Sequence, residues 1–144
     1  MVTTEVFLKG DSAIGRKKIL IVDDNSLLSK TIDIWLSKKG HDVKMFYTGA
    51  DAVKYLFEEK PDSIVLDIKL PDCDGWFIAR VLERLEWGKD VPLIVMSVLD
   101  PDGAKIAELK PYAYIQKPFD MVHLVQTVER SLSEQRQATI ASGA

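Results

Sequence analysis

Asp67 ends the run Ser63-Ile64-Val65-Leu66, and the turn Lys69-Leu70-Pro71-Asp72-Cys73-Asp74-Gly75 follows almost at once. A carboxylate at the mouth of an apolar, β-branched run stands where ligands and chemistry collect in open α/β sheets. Asp23 and Asp24 close the run Lys18-Ile19-Leu20-Ile21-Val22, Ser97 closes Pro92 to Met96, and Lys117 closes Tyr112 to Gln116. Three carboxylates gathered in one pocket repel one another unless a cation offsets them. Magnesium suits them, because it takes hard oxygen ligands and commonly binds through one or two carboxylates plus a phosphate. Asp24 and Asp67 can each supply an oxygen, and a backbone carbonyl just past Asp67 can supply a third. Lys117 is a point cation for a phosphoryl oxygen, and the Ser97 hydroxyl can donate to another. A nucleophile, a metal and positive donors are what phosphoryl transfer requires. Asp67 is the best nucleophile of the set, since a carboxylate can carry a phosphoryl group.

Taken singly, each position has a plainer explanation. Asp23-Asp24 reads as an N-cap and turn pair, Ser97 as a loop hydroxyl, and Lys117-Pro118 as ordinary loop chemistry with an extended Lys117. Their meaning comes from position: all four fall at the same end of successive apolar runs, where a shared pocket must form.

The elements that would place them there alternate strictly. Lys18 to Val22 reads as a buried strand, and Leu28, Ile32, Trp35 and Leu36 give a helix that stops at Lys39-Gly40. Asp42 to Phe46 is a half-apolar strand, Thr48 caps a helix running to about Lys60, and Pro61 closes it before the Asp67 strand. A third helix is expected from Gly75 to about Trp87, with Phe77, Ile78, Val81, Leu82 and Leu85 inward. Pro92 to Met96 is the fourth strand, Asp100 to Leu109 a short helix and Tyr112 to Gln116 the fifth strand. Phe119 to about Glu134 is a last helix, with Val122, Val125, Val128 and Leu132 inward. This alternation implies a doubly wound parallel sheet with right-handed crossovers and helices on both faces. Five strands suit the order 2-1-3-4-5, which sets strands 1 and 3, ending at Asp24 and Asp67, side by side.

Length and composition narrow the function. A chain of 144 residues, 47% hydrophobic and 28% charged, fits one ordinary globular domain. Its expected parts are a flexible arm over 1–16, the domain over 17–134 and a polar tail or linker over 135–144. Apolar runs are only a few residues long, so no membrane span and no secretory leader are expected, and the expected location is cytoplasmic. A net charge of -3 with dispersed Lys and Arg gives no footprint for direct nucleic-acid binding. The lone Cys73 has no partner for a disulfide and no Cys or His cluster around it for zinc. His41 and His123 fall away from the acidic edge and read as structural, as do Trp35, Trp76 and Trp87, the last two with part of their surface exposed.

On these residues the chain resembles the receiver domain of bacterial two-component response regulators, a family with the flavodoxin-like fold. The resemblance covers about Lys17 to Glu134 and rests on Asp23-Asp24, the stretch Leu66 to Gly75 around Asp67, Ser97 and Lys117-Pro118-Phe119. The intervals between these positions are similar to the family's. The resemblance implies that Asp67 accepts a phosphoryl group from a phosphohistidine of a sensor histidine kinase or a phosphotransfer protein. It implies Mg2+ held by Asp24, Asp67 and the Lys69 backbone carbonyl, with Asp23 assisting through water, and phosphoryl oxygens bound by Ser97 and Lys117. It further implies a switch in which Ser97 moves inward and Tyr114 rotates from exposed to buried. The output face is then the fourth helix, fifth strand and fifth helix, read by a downstream protein or a fused output domain; those faces also suit a homodimer. A plainer account of Tyr112 and Tyr114 is that alternate strand residues pack beside a helix. Val98 stands where the family usually has a very small residue. Leu99 is apolar where a polar residue could steer water, so a long-lived phosphoryl state is expected.

Three other readings compete with this one. A magnesium-dependent aspartyl-phosphate phosphatase resembles an Asp-x-Asp arrangement, but the second position here is Lys69. A flavin or nucleotide binder needs a phosphate-cradling loop after strand 1, where Asp23-Asp24 would repel the phosphate. A degenerate receiver acting only as a docking module is the third, set aside because every phosphorylation residue is present. No separate substrate turnover is expected, only self-directed phosphoryl transfer and slow dephosphorylation.

Overall fold

In a computed structural model of the chain, which describes residues 14–143, five strands form one parallel sheet in the order β2-β1-β3-β4-β5. They are β1 (Lys18–Val22), β2 (Asp42–Phe46), β3 (Ser63–Asp67), β4 (Leu93–Ser97) and β5 (Ala113–Gln116). β3 and β4 are buried at every residue, which is why their sequences read as unbroken apolar runs rather than alternating ones. β2 and β5 are the sheet edges and are only half-buried. The register pairs Val22 with Leu66, Asp67 with Met96 and Ser97 with Gln116. Asp23 is therefore level with Asp67, Ser97 lies one step beyond on β4, and Lys117 two steps beyond, just past β5.

The helices are α1 (Ser26–Lys38), α2 (Gly49–Glu58), α3 (Gly75–Arg84), α4 (Gly103–Leu109) and α5 (Met121–Gly143), with a 3-10 turn at Gly88–Asp90 after α3; the first four connect successive strands. Helix starts follow side-chain caps: Asn25 accepts from Leu28 N–H, Thr48 from Asp51 N–H and Asp74 from Trp76 N–H. Gly40, just past α1, takes a left-handed φ of +90°, which glycine reaches without a Cβ penalty. The sheet separates two cores. Leu20, Val22, Leu56, Ile64, Leu66, Ile78 and Leu82 pack on the side of α2, α3 and α4; Ile19, Ile21, Val65, Ile94 and Met96 meet Ile32, Leu36, Leu124 and Val128 of α1 and α5. Each fully buried aliphatic side chain contributes about 1.5–3 kcal/mol, so both faces are strongly held.

Several expected boundaries move. α3 ends at Arg84 rather than near Trp87, and its phase differs: Trp76, Ile78, Ala79 and Leu82 are buried while Phe77 is 52% exposed. A residue turns about 100° from its neighbour, so only one of Trp76 and Phe77 can face the sheet. α4 begins at Gly103, where Asp102 accepts from the Ala104 and Lys105 amides. In α5 Leu124 is buried and Val122 only half-buried, and the helix runs to Gly143 instead of stopping near Glu134. Helical backbone bonds are satisfied within the segment, so a polar sequence does not by itself end a helix. The arm expected over 1–16 falls mostly on residues 1–13, outside the described residues.

His41 is structural, as expected. It is buried, accepts the Lys17 N–H at Nδ1 (3.1 Å) and meets Glu129 Oε2 through Nε2 (3.1 Å), joining the start of β1 to α5. Ser63 opens β3 fully buried, and its hydroxyl has no hydrogen-bond partner among the described residues. An unpaired buried hydroxyl costs about 1–3 kcal/mol. Ser63→Ala is therefore expected to raise stability by about 1 kcal/mol in urea denaturation; a loss of that size would show a partner for the hydroxyl.

Candidate functional site

The site is built at the carboxyl ends of β1, β3, β4 and β5. Asp23 leaves β1 with its N–H bonded to Phe46 O (3.1 Å), so β2 fixes its backbone, and its side chain is fully buried. One carboxylate oxygen accepts the Asn25 N–H (2.9 Å) and the other accepts from Lys117 Nζ (2.7 Å). Asp67, the last residue of β3, repeats the arrangement: Oδ1 accepts the Lys69 N–H (3.0 Å) and Oδ2 accepts from Lys117 Nζ (2.8 Å). One ammonium thus bridges two buried carboxylates from strands that are neighbours in the sheet. Asp24 is exposed, yet carboxylate oxygens of Asp23, Asp24 and Asp67 all lie within 4.8 Å of one another.

The electrostatics follow from this burial. Asp23 titrates above the ordinary carboxylate range because burial disfavours its charge more than Lys117 and the Asn25 amide favour it. A folded value above the unfolded one means that ionised Asp23 costs stability at neutral pH. Lys117 is raised as well, which for an ammonium favours the charged form: burial opposes its charge, but the bonds to Asp23 and Asp67 outweigh it. Three carboxylates against one bridging ammonium leave excess negative charge on hard oxygens at the mouth of the sheet. That donor set fits a divalent cation such as magnesium.

Ser97 is buried at the end of β4. Its carbonyl accepts the Lys117 N–H (2.7 Å), which ties the β4 and β5 ends together, while its hydroxyl accepts the Leu99 N–H (3.2 Å). The Lys117–Pro118 peptide bond is cis. Lys69 is exposed, and its backbone pairs with Asp74 across the turn after β3. Tyr114 is half-buried: its ring stacks on Trp76 (centroids 6.5 Å apart, planes at 23°) and its hydroxyl donates to Leu99 O (2.8 Å). Trp76, expected to be partly exposed, is thus a buried platform for that ring. Val98 and Leu99 are exposed, and Val98 lines a cleft of about 380 Å³ with Leu28, Lys117, Pro118 and Phe119.

Two further contacts at this edge involve residues the sequence reading did not single out. Gln116 donates to Asp100 Oδ1 (2.9 Å), so Tyr114 and Gln116, two apart on one strand face, both fasten the loop after β4. Asp72 reaches from the loop after β3 to the first turn of α2, where its oxygens accept the Gly49 (2.7 Å) and Ala50 (2.9 Å) amides. Period-two spacing offered a signal for Gln116; the Asp72 contact left none, because its partners are backbone amides distant in sequence.

The response regulator receiver domain family matches residues 19–129 of this chain. Among solved structures, the chain is similar to the BeF3-activated DrrB receiver domain, at 31% identity over 82% of this chain and 98% of that one (TM-score 0.73). It is also similar to the receiver domain of a Pseudomonas aeruginosa sensor histidine kinase, solved with magnesium coordinated in its active site cleft. That match has 27% identity over 83% and 99% of the two chains (TM-score 0.73). A CheY-like receiver domain from Methanospirillum hungatei shares the fold at 24% identity over 86% and 99% (TM-score 0.77). With its flavodoxin-like fold in the order 2-1-3-4-5 and an acidic cluster bridged by one lysine, the chain belongs to the response regulator receiver domains, signalling modules of two-component systems.

Proposed function

We propose that this protein is a phosphorylation-dependent switch in which Asp67 accepts a phosphoryl group from the phosphohistidine of a sensor histidine kinase or phosphotransfer protein. The observation that carries this reading is Lys117 Nζ lying within hydrogen-bond distance of both Asp23 and Asp67 inside the three-carboxylate cluster. An Asp67 carboxylate oxygen attacks phosphorus as the P–N bond to the donor imidazole breaks, and the electron pair leaves with the imidazole. Lys117 exchanges a carboxylate contact for a phosphoryl oxygen, and the Ser97 hydroxyl turns from the Leu99 amide to donate to another. Asp24, Asp67 and the Lys69 carbonyl, with Asp23 through water, would hold Mg2+, which neutralises charge on the transferred group. A cleft lined by Leu28, Val98, Lys117 and Phe119 lies beside Lys117, and we take it as the donor's side of the site.

The switch reading gives Tyr114 the readout. Its hydroxyl rests on Leu99 O, so a Ser97 that abandons the Leu99 amide loosens the loop above the Tyr114 ring. The signal then passes through α4, β5 and α5 to a downstream protein or a fused output domain, a face that also suits a homodimer. We place the receiver unit at 17–134, with 1–16 as a flexible arm and 135–144 as a polar tail or linker. A cytoplasmic location goes with this role; among the described residues no helix is long and apolar enough to cross a membrane.

The test is intact mass with magnesium and acetyl phosphate or phosphoramidate, comparing the parent with Asp67→Asn. A magnesium-dependent gain of one phosphoryl group in the parent, lost in Asp67→Asn, supports the reading; a gain that survives Asp67→Asn sinks it. Magnesium that fails to bind at all would leave only a docking module. The same samples followed in time report the lifetime: Leu99 predicts persistence for minutes or longer, and a half-life of seconds overturns that part.

A further inference from the structure

The loop between Asp67 and Gly75 is fastened at both flanks. On one side Gly75 N–H bonds to Ile68 O (2.6 Å), Lys69 pairs with Asp74, and Lys69 N–H bonds to Asp67 Oδ1 (3.0 Å). On the other side the loop is seated on α2. A helix start leaves four amides without intrahelical partners. In α2 the Thr48 hydroxyl takes Asp51 N–H and the Thr48 carbonyl takes Ala52 N–H, while Gly49 and Ala50 are left to Asp72. The fit is close: a Cβ at Gly49 would overlap Cys73 Sγ and lie 3.4 Å from Asp72 Oδ1. Asp72 and Cys73 thus occupy a seat that only glycine leaves open. Lys69 lies between the two fastenings, two residues from the acceptor and three from Asp72.

We propose that Asp72 is a positioning residue for the phosphoacceptor site, latching the loop to α2 so that the Lys69 backbone and the Asp67 carboxylate keep the arrangement a metal requires. This inference rests on the function proposed above. It differs from plain helix capping, since a cap lost from the helix's own side should leave the metal site untouched. Removing a group that orients metal ligands typically weakens binding about 10–100-fold.

The test uses the full chain with Asp72→Ala, Asp72→Asn and Thr48→Ala, and titrates Mg2+ by calorimetry at about 0.15 M salt, where surface charge is screened. Asp72→Ala is expected to weaken Mg2+ binding about 10-fold and to speed amide exchange at Lys69 in magnesium-free protein. Asp72→Asn keeps one acceptor oxygen but sets an amide donor against the second backbone N–H, so it should weaken binding, though less than the alanine variant. Thr48→Ala should lower the melting temperature and leave magnesium affinity and Lys69 exchange unchanged. Should Asp72→Ala fail to fold, Asp72→Ser, whose single oxygen cannot span both amides, takes its place. Parent affinity in the alanine or serine variant would overturn the latch. So would equal weakening by Thr48→Ala, which would assign the loss to helix capping alone. A parent that binds no Mg2+ overturns the proposed function and this inference together; a parent that binds and is phosphorylated beside an unaffected Asp72→Ala overturns this one alone.

Discussion

Lys117→Met is expected to destabilise the magnesium-free protein by about 3 kcal/mol and to slow phosphoryl acceptance by about 10²-fold or more. The ammonium is bonded to two buried carboxylates at 2.7 and 2.8 Å, and methionine retains the apolar stem while deleting the charge. Removing one member of a buried pair leaves the other charged and without compensation, which is the costly way to break it. The pH dependence identifies the cause. Because Lys117 titrates above its ordinary 10.5, its contribution is fully present below that value and fades as pH climbs past it. Because Asp23 titrates above its ordinary 3.8, it takes up a proton on acidification sooner than a free carboxyl would and then no longer needs the ammonium. The stability gap between parent and variant should therefore be widest near neutrality and narrow at both extremes. Urea denaturation across pH reads it, and a gap that stays constant would mean the loss is one of packing. Magnesium should narrow the gap as well, since a cation at the cluster replaces part of the missing charge.

Gly75→Ala should cost both stability and phosphoryl acceptance, because the added methyl meets the backbone of the acceptor itself. A Cβ at Gly75 would overlap the Asp67 carbonyl oxygen and lie 2.7 Å from Ile68 Cα and 3.1 Å from Asp67 C. All three are backbone atoms, so no side chain can swing aside. Forcing them apart also strains the Gly75 N–H bond to Ile68 O, which closes the loop after the acceptor. Overpacking of this kind costs about 1–3 kcal/mol, and the upper end is expected because backbone must move. A shift of about 1 Å at a reacting group can cost about 10²-fold in rate, so phosphoryl acceptance should fall along with stability. Gly103→Ala is the control: an added Cβ there meets nothing within 4 Å, and alanine favours the helix. Thermal unfolding and intact mass on both variants decide the matter; a Gly75→Ala protein with parent stability and parent phosphorylation would show that the loop is soft.

The sheet and its acidic edge were legible because burial on both faces removes alternation. β1, β3 and β4 are almost wholly apolar until the residue that leaves the sheet, so Asp23, Asp67 and Ser97 stand out as breaks. Thr48 was legible as a cap for the same local reason. The phase of α3 was not: Trp76 and Phe77 are both large and apolar, and only the Asp74 cap with the close seat of Gly75 on Asp67 decides which one faces inward. The continuation of α5 beyond Glu134 was hidden by polar composition, which resembles a linker until backbone bonding is seen. Asp72 was silent for a different reason, since it joins segments far apart in the chain through common polar groups.

The two packing compartments on either side of the sheet carry a consequence for signalling. Along β5, Tyr114 hangs into the compartment that holds Trp76, Ile106 and Leu109, while Ala113 and Ile115 hang into the one that holds α1 and α5. A rotation of Tyr114 in the proposed switch would thus begin on the α3 and α4 side and reach α5 only across the edge strand β5, with the sheet as a bulkhead toward α1. In the proposed switch the α1 layer would be a fixed chassis, and the α4–β5–α5 edge an instrument panel that can be rearranged, or redrawn for a different listener, without rebuilding the frame that holds Asp67 and Lys117 in register.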